Sequence, residues 1–402
     1  MKSVEMYYKP TEILTTLNSC DNEMSCEQQG FLCGLIKEKR PKKIVEVGVA
    51  AGGTTCVLLK CVDEILKGTK VYSVDINERY WRDSTKKTGY MLDELSPYLK
   101  KSHELLIGKY LAERLNEIAP ERDIDFLILD TVHRLPGELL DFLAVFPYLR
   151  KDAVVVLHDV ILCHIDGNFQ AYATKVLLDV VTADKYYLLD YAEHKNTPLQ
   201  INKETNKYIA DNFSIYKKCG MENIAAFQIN DDTSKYIVDC FSTLTIPWQY
   251  LPGDEELKIY REIISCEYDD ECLKLWDCAI KMQKLTHTAK YVEQDVGGAS
   301  KYRKLIREWR SMGHIFIYGF GIKGKIYLEF ARRNYLRVDA VVVSDTILVG
   351  ELNAADIPVY HLSNVSFSPE ECCFINAGER RESAKAIEDN IRKAGYYKIL
   401  NR

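Results

Sequence analysis

Residues 43–55 read KIVEVGVAAGGTT, and that stretch decides the fold. Ile44, Val45 and Val47 are β-branched and apolar around Glu46, which suits a short buried strand. Gly48, Gly52 and Gly53 follow at once, and residues 54–60 (TTCVLLK) can open a helix. Glycines permit a tight turn and close backbone approach, and the first turn of a helix offers unpaired N–H groups. A strand that runs through glycines into a helix is thus suited to hold a ligand against backbone. The spacing is E-x-G-x-x-x-G, distinct from the G-x-G-x-x-G of dinucleotide sites.

Three further apolar runs end in polar residues. Residues 71–77 (VYSVDIN) carry Asp75, 23 positions beyond Gly52; residues 124–133 (IDFLILDTVH) carry Asp130 and His133; residues 153–160 (AVVVLHDV) carry His158 and Asp159. Helical spacers between these runs predict a mostly parallel α/β sheet of the Rossmann-like kind, with the polar groups gathered at the carboxyl ends of its strands. Each residue also has a plainer use. Glu46 and Asp75 can cap turns, Asp130 and Asp159 can cap helices, and His133 can cover the start of a helix over 135–149.

The ordered set resembles the class I S-adenosylmethionine-dependent methyltransferases, in particular the sugar and cephalosporin-hydroxylase-like O-methyltransferases that carry a D-x-x-H element after the fourth strand. The resemblance covers about residues 25–159. It implies a cofactor, S-adenosylmethionine, held by Glu46, Gly48, Gly52, Gly53, Thr54, Asp75 and Asp130, with adenine near Gly108. It further implies a sugar, nucleotide-sugar or glycan acceptor and a bacterial, cytoplasmic setting in polysaccharide biosynthesis. Methyl transfer to a hydroxyl requires removal of one proton, and a histidine titrates near neutral pH. His133 is the first candidate base and His158 the second. Asp130, His158 and Asp159 form a hard-ligand set suited to Mg²⁺ or Mn²⁺, although His158 stands where related enzymes carry a carboxylate.

Residues 25–40 (SCEQQGFLCGLIKEKR) read as an amphipathic lead-in helix, with Ser25 and Gln28 as a capping box and Phe31, Leu32, Leu35 and Ile36 as its buried stripe. Residues 223–230 (NIAAFQIN) suit a closing edge strand. Residues 254–285 read as a helical connector with no chemistry-bearing motif. The tail opens with a second glycine loop, HIFIYGFGIKG at 314–324, in which Gly319, Gly321 and Gly324 have true G-x-G-x-x-G spacing, and Asp345 ends the next strand. This half-unit resembles the small Rossmann-like domains of surface-glycan assembly proteins, where the loop can hold a nucleotide-sugar; a packing role without ligand explains the glycines equally.

The predicted domains are a helical lead-in at 1–40, a methyltransferase domain at 41–235, a connector at 236–298 and a small Rossmann-like domain at 299–402. Charge divides with them: the last 104 residues hold 17 Lys and Arg against 12 Asp and Glu, within a chain of net charge −6. The acidic balance argues against nucleic acid as a partner. No apolar run reaches a membrane span of about 20 residues. Thirteen cysteines without C-x-x-C pairs suit a reducing compartment. A homodimer and a non-catalytic, nucleotide-sugar-binding scaffold with a degenerate methyltransferase domain remain compatible with the sequence.

Overall fold

The computed structural model describes residues 23–95, 102–164, 171–189, 199–201, 221–345 and 357–401. They fall into two compact units, Met1–Ala279 and Ile280–Arg402.

The first unit begins with α1 (Cys26–Lys39), capped as expected by Ser25 and Gln28 in a reciprocal capping box. The helix is not one-sided: every residue from Gln28 to Ile36 is buried, because it packs between the glycine-loop helix and the antiparallel strand of the sheet. Next come β1 (Lys43–Val47), α2 (Gly53–Ile65), β2 (Lys70–Asp75), a hairpin of β3 (Arg79–Tyr80) and β4 (Asp83–Lys87), α3 (Tyr90–Leu95), β5 (His103–Ile107), α4 (Leu111–Ile118) and β6 (Ile124–Leu129). The chain continues through α5 (Gly137–Val145), β7 (Leu149–His158), α6 (Ala173–Val180), β8 (Asp184–Leu189), β9 (Leu199–Ile201) and β10 (Met221–Gln228). Four helices close the series: α7 (Asp231–Lys235), α8 (Val238–Thr243), α9 (Asp254–Glu267) and α10 (Asp270–Asp295).

The sheet order is β5-β2-β1-β6-β7-β10-β8-β9. Strands β5, β2, β1, β6 and β7 are parallel, and β10 runs antiparallel to both β7 and β8. This is the Rossmann-like methyltransferase sheet that the sequence predicts. One detail differs. Residues 223–230 belong not to an edge but to the sheet interior, and Ile224, Ala225, Ala226 and Phe227 are all fully buried. Both faces of β10 are covered, so an unbroken apolar run is what that position needs. Within 160–230, residues 165–170, 190–198 and 202–220 lie outside the described residues.

The second unit contains the end of α10, α11 (Ala299–Ser311), β11 (His314–Tyr318), α12 (Ile322–Arg333), β12 (Ala340–Val343), β13 (Val359–His361), β14 (Cys372–Asn376) and α13 (Arg381–Lys393). Its four strands are parallel in the order β13-β12-β11-β14. Near the C-terminus, Ile399 adds a single parallel bridge to Phe374. Val292 from α10 and Val296 just beyond it join Leu305, Trp309, Ile317, Tyr327 and Phe330 in the core of this unit. No helix among the described residues is long and apolar enough to cross a membrane, and the eleven described cysteines are free.

Candidate active site

The glycine loop leaves β1 with positive φ at Gly48 (93°), Ala50 (48°) and Gly52 (94°). A Cβ on Gly48 would overlap the carbonyl oxygen of Asp130, and one on Gly52 would lie 3.1 Å from Gly89 Cα. Glycine is therefore required at 48 by both torsion and space. Asp75 closes the loop from the next strand. Its Oδ2 accepts from the N–H of Val49 (2.9 Å) and Ala50 (3.1 Å), and its Oδ1 accepts from Asn77 N–H (2.8 Å).

Glu46 stands behind the loop rather than in it. It is fully buried, and one carboxylate oxygen accepts from Thr55 Oγ1 (2.7 Å) and Ser73 Oγ (2.6 Å). The other oxygen has no partner. Burial drives its pKa up from 4.5 to about 7, against the lowering effect of the two hydroxyls. Thr54, on the first turn of α2, is half-buried, whereas Thr55 points inward to Glu46. Gly108 (φ 81°) makes the turn from β5 toward α4.

The neighbouring strand ends bring Asp130, His133, His158 and Asp159 together. His133 Nε2 lies 3.1 Å from Asp159 Oδ2 and 3.8 Å from Asp130 Oδ1, and its backbone N–H donates to Glu138 Oε1 at 2.6 Å. Desolvation works to lower the His133 pKa, but Glu138, Asp130 and Asp159 outweigh it and raise it to about 9. His158 is almost fully buried. Its Nδ1 lies 3.2 Å from Asp130 Oδ1 and its Nε2 3.3 Å from Gln28 Oε1. Burial opposes its charge, yet the two aspartates hold its pKa well above the usual value. Asp130 shows the reciprocal effect: burial would raise its carboxyl, and the charge of His158 holds it low instead.

Ligand atoms of Asp130, His133 and Asp159 all lie within 4.8 Å of one another. Relative to the set anticipated from sequence, His133 takes the place of His158, whose nitrogens face Asp130 and Gln28. Both His133 (φ 56°) and Asp159 (φ 60°) adopt left-handed backbone, a costly conformation for residues with a Cβ and one that gathers at functional sites.

Several contributors escaped the sequence reading. Glu138 and Asp141 lie on α5, which is buried along its whole length. Asp141 accepts from Tyr260 Oη (2.9 Å), and burial pushes its pKa up to about 7. Two acidic residues within an otherwise apolar GELLDFLAV are the signal that reveals them. Asn223 donates to Asp159 from β10, and Gln28 reaches His158 from α1. In the second unit, Gly319 (φ 102°) makes the turn into α12, and a Cβ on Gly324 would overlap Gly319 O. A Cβ on Gly321 would overlap Glu379 Oε1, so a carboxylate faces the spot where a phosphate would approach. Asp345 accepts from Ser363 Oγ at 3.1 Å.

A glycine loop closed by a carboxylate, at the carboxyl edge of a sheet of this order, defines a methyltransferase-type α/β domain. Residues 45–160 match the profile of a family described as "Methyltransferase domain". A search of curated proteins finds no match. Among solved structures, the chain is similar to an O-methyltransferase from Bacillus cereus in complex with S-adenosylhomocysteine, at 13% identity and a TM-score of 0.35, over 55% of this chain and 90% of that one. It is also similar to the O-methyltransferase TomG from Streptomyces achromogenes, involved in tomaymycin synthesis and solved with S-adenosylmethionine, at 14% identity and a TM-score of 0.34, over 57% and 90%.

Proposed function

We propose that this chain is an S-adenosylmethionine-dependent O-methyltransferase whose acceptor is a sugar or glycan-precursor hydroxyl. The observation that carries the reading is the Asp130–His133–Asp159 cluster beside a glycine loop closed by Asp75. The sugar assignment rests on the sequence resemblance. The N–H groups of Ala51, Gly53 and Thr54 would receive the methionine end of the cofactor, those of 48–50 and 52 being engaged within the fold, and the one lone pair left on Asp75 would meet its ribose.

The acceptor oxygen attacks the methyl carbon in line, the C–S bond breaks, and its electron pair stays on sulfur. Catalysis is then mainly positioning and removal of the hydroxyl proton. His133 lies among three carboxylates that stabilise its protonated form, so once neutral it is well suited to take that proton. His158, engaged at both nitrogens, keeps Asp130 ionised and oriented. Two carboxylates and an imidazole also fit a hard divalent ion. With the ion bound, Asp130, His133 and Asp159 would hold it in place of the base role of His133, and it would supply a lowered pKa for the acceptor hydroxyl.

Calorimetric titration with S-adenosylhomocysteine, with and without Mg²⁺, tests the reading. Micromolar binding is expected, with loss in Gly52→Val and Asp75→Ala. No binding in either condition would overturn it. A Mg²⁺ dependence that disappears in Asp159→Asn would assign the metal role to the cluster.

A further inference from the structure

The β3–β4 hairpin is inserted directly after Asp75, between β2 and α3, and it is stapled to the cofactor loop. Thr88 Oγ1 donates to Asn77 O at 2.6 Å, Gly89 N–H to Ala50 O at 2.8 Å, and Met91 N–H to Ala51 O at 3.0 Å. Tyr80 is its buried anchor, packed edge-on to Trp81 and beside Tyr90. Trp81 itself is 64% exposed, whereas Trp248, Trp276 and Trp309 are at most 4% exposed. An indole presented to solvent on a pinned turn is a stacking platform.

Its charge is opposite to that of the nearby centre. The nine residues RYWRDSTKK carry Arg79, Arg82, Lys86 and Lys87 against Asp83 alone. Arg79 and Lys87 are paired directly across the hairpin, both are exposed, and neither has an ion-pair partner among the described residues. Like charges set opposite one another destabilise a hairpin, and an anion bound between them would reverse that sign. The Arg82 guanidinium covers the Trp81 ring at 4.5 Å and pairs with Glu23 at 2.8 Å.

We propose that this hairpin recognises the acceptor, and that the acceptor carries a phosphate group together with a flat ring face. The phosphate meets Arg79 and Lys87, the ring stacks on Trp81, and the hydroxyl to be methylated extends toward Asp130, His133 and Asp159. The basic hairpin would also draw an anion toward a centre whose carboxylates alone would repel it. This inference rests on the methyltransferase reading for its purpose but not for its binding measurement.

The test uses the full chain saturated with S-adenosylhomocysteine, probed with uridine diphosphate, glucose 1-phosphate and inorganic pyrophosphate. Tryptophan emission, whose exposed component comes from Trp81, should be quenched saturably by uridine diphosphate. Pyrophosphate should compete, and the quenching should vanish in Trp81→Phe. In the Arg79→Ser/Lys87→Ser double variant the affinity should fall at least about tenfold, steeply with salt in the parent and weakly in the variant. Quenching by uridine diphosphate alone would assign a nucleotide-linked sugar, and quenching by glucose 1-phosphate as well a simple sugar phosphate. Absence of saturable quenching up to millimolar probe, failure of pyrophosphate to compete, or unchanged affinity in the double variant would each overturn the proposal. Calorimetry with S-adenosylhomocysteine on the same variants separates the two readings. Binding retained there shows a folded cofactor site, and its absence from the parent chain would sink the methyltransferase reading while leaving any hairpin binding in place.

Discussion

At position 46 a carboxyl sits in the interior with one oxygen satisfied twice and the other not at all. The sequence marks Glu46 as special because an acid interrupts an apolar strand, but it cannot show that the side chain points behind the loop. Its folded pKa of about 7 lies above 4.5, so the native state holds an extra proton between those values. Stability contributed by this group is therefore present below about pH 4.5 and is lost as pH rises toward about 7, by up to about 3 kcal/mol. In Glu46→Gln the loss is absent. Denaturant titrations should show the variant gaining on the parent as pH rises through that window, and parallel curves would refute the assignment. Gly48 is governed by space and torsion instead. Gly48→Ala should destabilise the fold by roughly 3 kcal/mol and weaken S-adenosylhomocysteine binding, measured by thermal unfolding and calorimetry. The glycines, Asp75, Asp130 and Asp159 were legible because each ends an apolar strand. Gln28, Glu138 and Asn223 were not, because their roles arise only where distant elements meet.

Among elements, α1 shows how a local signal can carry a distant consequence. Ser25 and Gln28 were readable as a capping box from their spacing. The same Gln28 Oε1 that accepts from Ser25 N–H (3.0 Å) also faces His158 Nε2, so the helix start and the imidazolium share one acceptor. Ser25→Ala should cost about 1 kcal/mol in thermal unfolding. It should also lower turnover by more than that stability change explains, since Gln28 loses a restraint; an unaltered rate would separate the cap from the site. The run of Ile, Ala, Ala and Phe in β10 has no polar face, and the strand accordingly lies inside the sheet rather than at the expected edge. Alternation, not hydrophobicity alone, distinguishes an edge or half-buried strand from one covered on both sides.

Across the whole molecule, the two glycine-loop sheets were both visible in the sequence, since strand–glycine–helix order survives without any tertiary information. The use of the α10 end as core for the second unit was not, because a mixed-charge helix gives no hint of which turns another unit will cover. Trp309 is a central piece of that core, 1% exposed, with its Nε1 donating to Arg337 O at 2.7 Å. Trp309→Ala should remove about 3–5 kcal/mol from the second unit. Calorimetric unfolding should then show one transition moved down in temperature and the other kept, with S-adenosylhomocysteine binding intact. A single transition shifted as a whole would show that the units unfold together.

The left-handed torsions at His133 and Asp159 bear on how this protein can be altered. Glycine occupies that region more easily than histidine or aspartate, so a search guided only by melting temperature would favour it at 133 and 159. It would return sturdier molecules stripped of an imidazole and a carboxylate. Any stabilisation programme for this fold has to hold those two positions fixed, or it will discard the two side chains on which the proposed methyl transfer depends.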